Sequence, residues 1–158
     1  MKNYQLKTIG TVRNDSTGAF IELESEYIPA LQALEGFSHI NVLWWFSGCD
    51  NVQMRSVLET QQPYKGAPEK MGIFATRSPM RPNPIALTAV EIIQIDYERG
   101  IIQITFIDAM DGTPVLDIKP YTPSLDRVET PGVPEWCSQW PKCTEDSGDF
   151  DWEAVFNF

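Results

Sequence analysis

The chain has 158 residues, 12 basic and 22 acidic side chains, a net charge of -10 and a pI of about 4.4. That length suits one domain with a sizeable core and leaves no room for a second full one. The charge excludes a protein that binds nucleic acid through its overall field, and three cysteines with one histidine and no CxxC pair exclude a zinc site or a disulfide framework.

From the N-terminus, MKNYQLKTIG lacks an apolar signal core, and no apolar run approaches the ~20 residues of a membrane span. A soluble cytoplasmic protein with reduced Cys49, Cys137 and Cys143 is therefore expected, although a Cys137–Cys143 bridge is conceivable. Residues 4–13, YQLKTIGTVR, alternate as a first strand, and NDSTG at 14–18 is turn-rich. Phe20, Ile21 and Leu23 suggest a second strand. Ser25 is a candidate N-cap, and Ile28, Leu31 and Leu34 recur at helical spacing before Gly36. FSHINVLWWF at 37–46 reads as a buried strand. Its His39, lying within a core strand, reads as a structural residue rather than a ligand. Residues 52–62 suggest a short helix before Pro63.

The stretch from Met71 to Thr88, MGIFATRSPMRPNPIALT, sets Arg77 and Arg81 between three prolines. Proline fixes φ, and the residue before it is pushed to extended geometry, so Ser78, Arg81 and Asn83 are all restricted. In polyproline geometry the two arginine Cα atoms lie roughly 12 Å apart, close enough for both guanidinium groups to converge on one small anion. The competing reading is a rigid turn with solvated arginines. Lys65, Lys70, Arg77 and Arg81 against Glu69 also make residues 65–81 locally basic.

AVEIIQIDY at 89–97 and IIQITFIDA at 101–109 are two strands joined at Glu98-Arg99-Gly100. Their apolar residues fall at both parities, which fits a closed barrel or a sandwich. Asp111-Gly112-Thr113-Pro114 is a turn that offers backbone amides, a carboxylate and a hydroxyl at one rigid place. Val115 to Ile118 follows as a short strand. Beyond Pro131, three of the five tryptophans sit among acids, with Glu135, Glu145, Asp146, Asp149, Asp151 and Glu153 outnumbering Lys142. Disordered tails are poor in aromatics, so Trp136, Trp140, Trp152 and Phe156 are expected to dock on the body or on a partner. The chain divides into a body at 1–133 and an acidic tail at 134–158.

No GxSxG, HExxH or GxxxxGKS/T motif is present, and a lone histidine in a core strand does not serve a triad. Asp108 and Asp111 are either an acid-base pair or, more simply, turn formers. An arginine for a carboxylate and a polar turn for a nucleoside together suit a zwitterionic nucleoside.

FATRSPMRPNPIALT, followed beyond the hairpin by DAMDGTPVLDIKPY, with LEGFSHINVLWWF upstream and TIGTVR at the start, resembles the TsaA-like (TrmO) family of S-adenosylmethionine-dependent tRNA methyltransferases. The resemblance covers roughly Ile9 to Asp126. It implies a mainly β, single-domain small β-barrel with a few short helices, homodimeric, which uses S-adenosyl-L-methionine and no metal. The implied reaction methylates the exocyclic nitrogen of threonylcarbamoyl-adenosine beside the tRNA anticodon. Carried over by motif, Ser47, Gly48, Arg77, Leu87, Asp111, Gly112, Thr113 and Pro114 are cofactor contacts. Arg81 is placed with them, in the loop it shapes with Asn83. Lys119 and Tyr121 fall nearest the acceptor base, with Asp108 or Asp117 as proton acceptor.

The chain departs from the family pattern in several places. NDSTG replaces a longer loop with a Pro-Arg-Gln element, and Ser47-Gly48 stand where relatives often carry histidine and glutamine. Ala86 and Thr88 replace the usual glycine and serine, and the acidic tail replaces an extra C-terminal domain. Methylation of a small metabolite and non-catalytic binding of S-adenosylmethionine or of a partner through Pro79-Met80-Arg81-Pro82 are the alternatives.

Overall fold

The computed structural model describes residues 3–157, so Met1, Lys2 and Phe158 lie outside the described residues. Six strands close a barrel in the order β1-β2-β7-β6-β3-β8. β1 (Gly10–Asp15) and β2 (Gly18–Leu23) form a hairpin through a two-residue turn at Ser16-Thr17. β3 (His39–Trp45) lies between β6 (Ile85–Asp96) and β8 (Pro114–Pro120), and β7 (Ile101–Ile104) joins β6 to β2. β4 (Glu59–Gln61) and β5 (Lys70–Gly72) form a separate two-stranded sheet.

Val12, Ile21, Ile40, Val42, Trp44, Val90, Ile102, Ile104 and Val115 fill the barrel, and Ile107 is buried with them. Each of these side chains contributes roughly 1.5–3 kcal/mol by leaving water. Alternation does the sorting. Ile40, Val42 and Trp44 point inward, while His39, Asn41, Leu43 and Trp45 take the outer, half-buried row of β3.

Several boundaries differ from the sequence reading. The first strand begins at Gly10, not residue 4, because β2 ends at Leu23, opposite Gly10, and the chain turns away at Ser25. Gly10 itself is required by close approach, since a Cβ there would lie 2.3 Å from the Glu22 carbonyl oxygen. The segment Ser25–Leu31 is a 3-10 helix containing Pro29, which has no amide to donate. The helix expected at 52–62 is only α1 (Val52–Arg55), capped by the Asn51 side chain on the Met54 amide; the rest is drawn into pairing with β5. β6 starts at Ile85, inside the proline-rich stretch, and β7 stops at Ile104 rather than Ala109, where the chain leaves β6 to cross toward β8.

Past α2 (Pro123–Asp126), the tail carries a 3-10 turn at Glu135–Cys137 and α3 (Thr144–Ser147). It packs on the turn between β4 and β5. Tyr64 stacks on Trp136 at 5.4 Å and meets Trp140 edge-on at 5.1 Å, and Trp152 packs against Trp140 and Phe156. Backbone bonds from Lys65 N to Val155 O (2.9 Å) and from Asn157 N to Pro63 O (3.0 Å) fix the register. The cysteines are free thiols. Among the described residues no helix is long and apolar enough to cross a membrane.

Candidate functional site

The loop from Thr76 to Pro84 is stiffened by more than its prolines. Arg81 folds back into it, donating from Nε to Ser78 O (2.7 Å) and from Nη2 to Thr76 O (2.6 Å) and Ile73 O (3.4 Å). The two guanidinium groups therefore do not converge on one anion as the spacing suggested, because backbone carbonyls already occupy one of them. Arg77 is exposed and makes a single bond, Nη1 to Leu87 O at 3.2 Å. Its remaining donors have no partner among the described residues.

The basic character of residues 65–81 is also reduced. Lys70 pairs with Glu59, and Lys65 Nζ donates to Ala154 O in the tail. Replacing Arg81 by methionine is expected to lower stability by about 1–3 kcal/mol, the cost of leaving half-buried carbonyls without a cationic donor. Urea denaturation of the purified chain checks it.

Strand register gathers much of the remaining site on one outer face of the barrel. Leu43 of β3 lies opposite Leu87 on β6 and Asp117 on β8, so Leu87, Leu43 and Asp117 form one row, with Arg77 held at Leu87. Directly opposed residues share a face. The next row is Ala89, Asn41 and Lys119, and beyond it Tyr121 N bonds His39 O, with the two rings 6.3 Å apart. His39 is thus on the outer face beside Tyr121, with Nδ1 2.9 Å from Ser38 Oγ, and not inside the core. Lys119 Nζ lies 2.6 Å from Asp117 Oδ2. That hydrogen bond and the carboxylate charge raise the Lys119 ammonium above its ordinary value, so it stays cationic at neutral pH. α2 folds over the far end, where Asn41 Nδ2 donates to Asp126 Oδ1 at 2.8 Å.

The second group of residues lies at the barrel rim, at the Trp45 end of β3. Ser47 and Gly48 are exposed in a 3-10 turn, Ser47–Cys49. The Asp111 to Pro114 turn is less open than expected. Gly112 N donates to Val12 O (2.8 Å), Thr113 N to Met110 O (3.2 Å), and Asp111 Oδ1 accepts from Asn14 N (3.0 Å). Thr113 is buried. Closing the barrel against β1 engages the Gly112 amide, and the turn itself engages that of Thr113, both of which sequence alone left free. What the turn still offers is Gly112, at φ +76° with open space where a Cβ would be. Asp108 is exposed on the connection between β7 and this turn, apart from the Asp117 row.

One residue of this region escaped the sequence reading. Arg55, in the last turn of α1, donates from Nε to Pro82 O (2.9 Å), from Nη2 to Asn83 Oδ1 (3.4 Å) and from Nη1 to Asp50 Oδ1 (3.0 Å). Its guanidinium also lies over the Trp45 ring, whose Nε1 donates to Asp50. The only signal in the sequence was an arginine close after a capped turn.

Two open clefts of about 470 and 450 Å3 flank the barrel, one between the Ser25–Leu31 helix and Tyr97, the other beside Arg55 at Asp50–Ser56. Among the described residues no group of histidine, cysteine and carboxylates could hold a metal. The outer face of β3, β6 and β8 is instead an apolar strip with one exposed arginine, one ion pair and open glycines at its end.

A model of the tRNA-methyltransferase O N-terminal domain matches residues 9–127. The chain belongs to this family. A relative from Archaeoglobus fulgidus, described as an S-adenosyl-L-methionine-binding protein, is 41% identical over 108 residues, covering 68% of this chain and 72% of its own. A tRNA (adenine(37)-N6)-methyltransferase from Escherichia coli is 32% identical over 147 residues, covering 81% of this chain and 62% of its own. The crystal structure of TrmO from P. aeruginosa superimposes with a TM-score of 0.64 at 27% identity, covering 84% of this chain. The chain spans 61% of that structure's length.

Proposed function

We propose that the chain is an S-adenosylmethionine-dependent methyltransferase that acts on tRNA, at the exocyclic nitrogen of the threonylcarbamoyl-adenosine beside the anticodon. The observation that carries this reading is the outer barrel face, where Leu87, Leu43 and Asp117 share one row, Arg77 is bonded at Leu87 O, and Lys119 and Tyr121 extend the face. The donor set fits the cofactor. Arg77 has free donors for a carboxylate, Leu87 is 47% exposed as an apolar floor, and Gly48 and Gly112 allow close backbone approach at the rim. When bound, S-adenosylmethionine supplies an electrophilic methyl on a sulfonium.

The chain's own groups then position and deprotonate the acceptor. Asp117 is the proton acceptor, held in place by Lys119. His39 and Tyr121 offer ring faces for an unstacked base, and the exposed Lys119 ammonium offers a cation for phosphate. Phe74, Leu58 and Met80, exposed at 80%, 62% and 41%, surround the arginine loop and support a homodimer with this face at the subunit contact.

Isothermal calorimetry of the native chain with S-adenosylmethionine is expected to show one site per chain, and no heat of binding overturns the cofactor assignment. Mass spectrometry of tRNA nucleosides from cells lacking the protein is expected to show loss of methylated threonylcarbamoyl-adenosine. An unchanged level, with turnover stimulated by metabolites and not by tRNA, favours a small-molecule acceptor, the reading that the net charge of -10 supports.

A further inference from the structure

The Arg55 guanidinium donates to two segments that are far apart in sequence. Nη1 holds Asp50, just after the exposed Ser47–Cys49 turn that follows β3. Nε and Nη2 hold Pro82 and Asn83, near the end of the arginine loop before β6. A bond from Phe46 N to Pro84 O (2.8 Å) runs alongside. The contacts are half exposed, at 41% for Arg55 and 39% for Asp50, and an exposed pair of this kind contributes only ~0.2–1 kcal/mol to folding. Barrel stability therefore does not require it. Its effect is geometric, because it adds a side-chain tie between the rim turn carrying Ser47-Gly48 and the loop carrying Arg77, beyond the backbone pairing of Trp45 with Ile85.

We propose that Arg55 is a positioning residue for cofactor binding, which holds these two segments at the separation that the ligand must bridge. This rests on the methyltransferase reading above. Lysine cannot replace arginine in this role. An ammonium can keep the Asp50 contact, but it lacks the planar fork that reaches Pro82 O and Asn83 Oδ1 together. A role based on charge alone predicts that Arg55→Lys behaves as native; a positioning role predicts that it behaves like Arg55→Met.

The test uses the full chain and S-adenosylmethionine as the probe, in two parallel measurements. Calorimetry of the native chain, Arg55→Met and Arg55→Lys is expected to show dissociation constants about tenfold higher for both variants, the effect of losing about 1.4 kcal/mol of pre-organisation. Amide hydrogen exchange without ligand is expected to be faster in both variants at Ser78, Met80 and Ile85, whose amides donate within the loop to Thr76 Oγ1, Ser78 Oγ and Asn83 O. Native affinity or native exchange in a folded Arg55→Met chain overturns the proposal. Native behaviour of Arg55→Lys overturns it as well, and remains informative should the methionine variant not fold. If the native chain itself fails to bind while exchange still accelerates, the methyltransferase reading falls and the mechanical link between the segments stands.

Discussion

Arg77→Ala is expected to raise the S-adenosylmethionine dissociation constant by roughly tenfold to a hundredfold, the range of ~1.5–3 kcal/mol for hydrogen bonds to a charged group. Arg77 is well suited to give a clean result. It holds a single protein acceptor, Leu87 O, and that carbonyl is at the edge of a paired strand, so its loss leaves the barrel intact. Arg77→Lys should recover only part of the affinity, because an ammonium contacts a carboxylate as a point charge and not as a fork. Calorimetry with both variants, alongside thermal unfolding to show an unchanged midpoint, decides the matter. Native affinity in the alanine variant would remove Arg77 from the site.

Asp117→Asn is expected to lower the turnover rate by ~10²–10⁴, the range for loss of a positioned proton acceptor, with little change in cofactor affinity. Asp108→Asn should leave turnover within a few-fold of native. The two aspartates were equal candidates in the sequence, and geometry separates them. Asp117 lies in the row of Leu43 and Leu87 and is held by Lys119 at 2.6 Å, whereas Asp108 is on an exposed connection beyond the end of β7. The asparagine amide retains the shape of the carboxylate it replaces and loses its capacity to take up a proton. Single-turnover methylation with saturating cofactor measures the step directly, and equal defects in both variants would return the question to the rim. Lys119→Met serves as a further control, because loss of its cation should weaken the RNA complex and flatten its salt dependence.

The features that could be read from the sequence are local. The hairpin at Glu98-Arg99-Gly100 is signalled by its own turn, and the apolar residues at both parities of the two flanking strands already favoured closure. Arg77 stood out because prolines surround it. The features that were missed depend on contacts that the local residue pattern does not reveal. Nothing near Arg81 announces that Ile73 O and Thr76 O will take its donors, and nothing in DGTP announces that Val12 O will take the Gly112 amide. Alternation in FSHINVLWWF is hidden because half-buried Leu43 and Trp45 are as apolar as the buried Val42 and Trp44, so His39 could not be assigned to the outer row. The helix expected at 52–62 failed because pairing of Glu59 to Gln61 with Lys70 to Gly72 outweighed local propensity.

The seam of the barrel has a consequence for how the chain is made. β1 meets β8 through Gly10 opposite Val115 and Thr11 opposite Pro114, a short pairing between distant parts of the sequence. During synthesis β1 can pair with β2 at once, while its other edge stays open until the residues after Met110 have left the ribosome. The same bonds that cover that edge, Gly112 N to Val12 O and Asn14 N to Asp111 Oδ1, shape the turn at the rim. A nascent chain thus forms the Asp111–Pro114 turn only as it loses the open edge of β1, so the shape of the rim and resistance to aggregation arrive in a single late step.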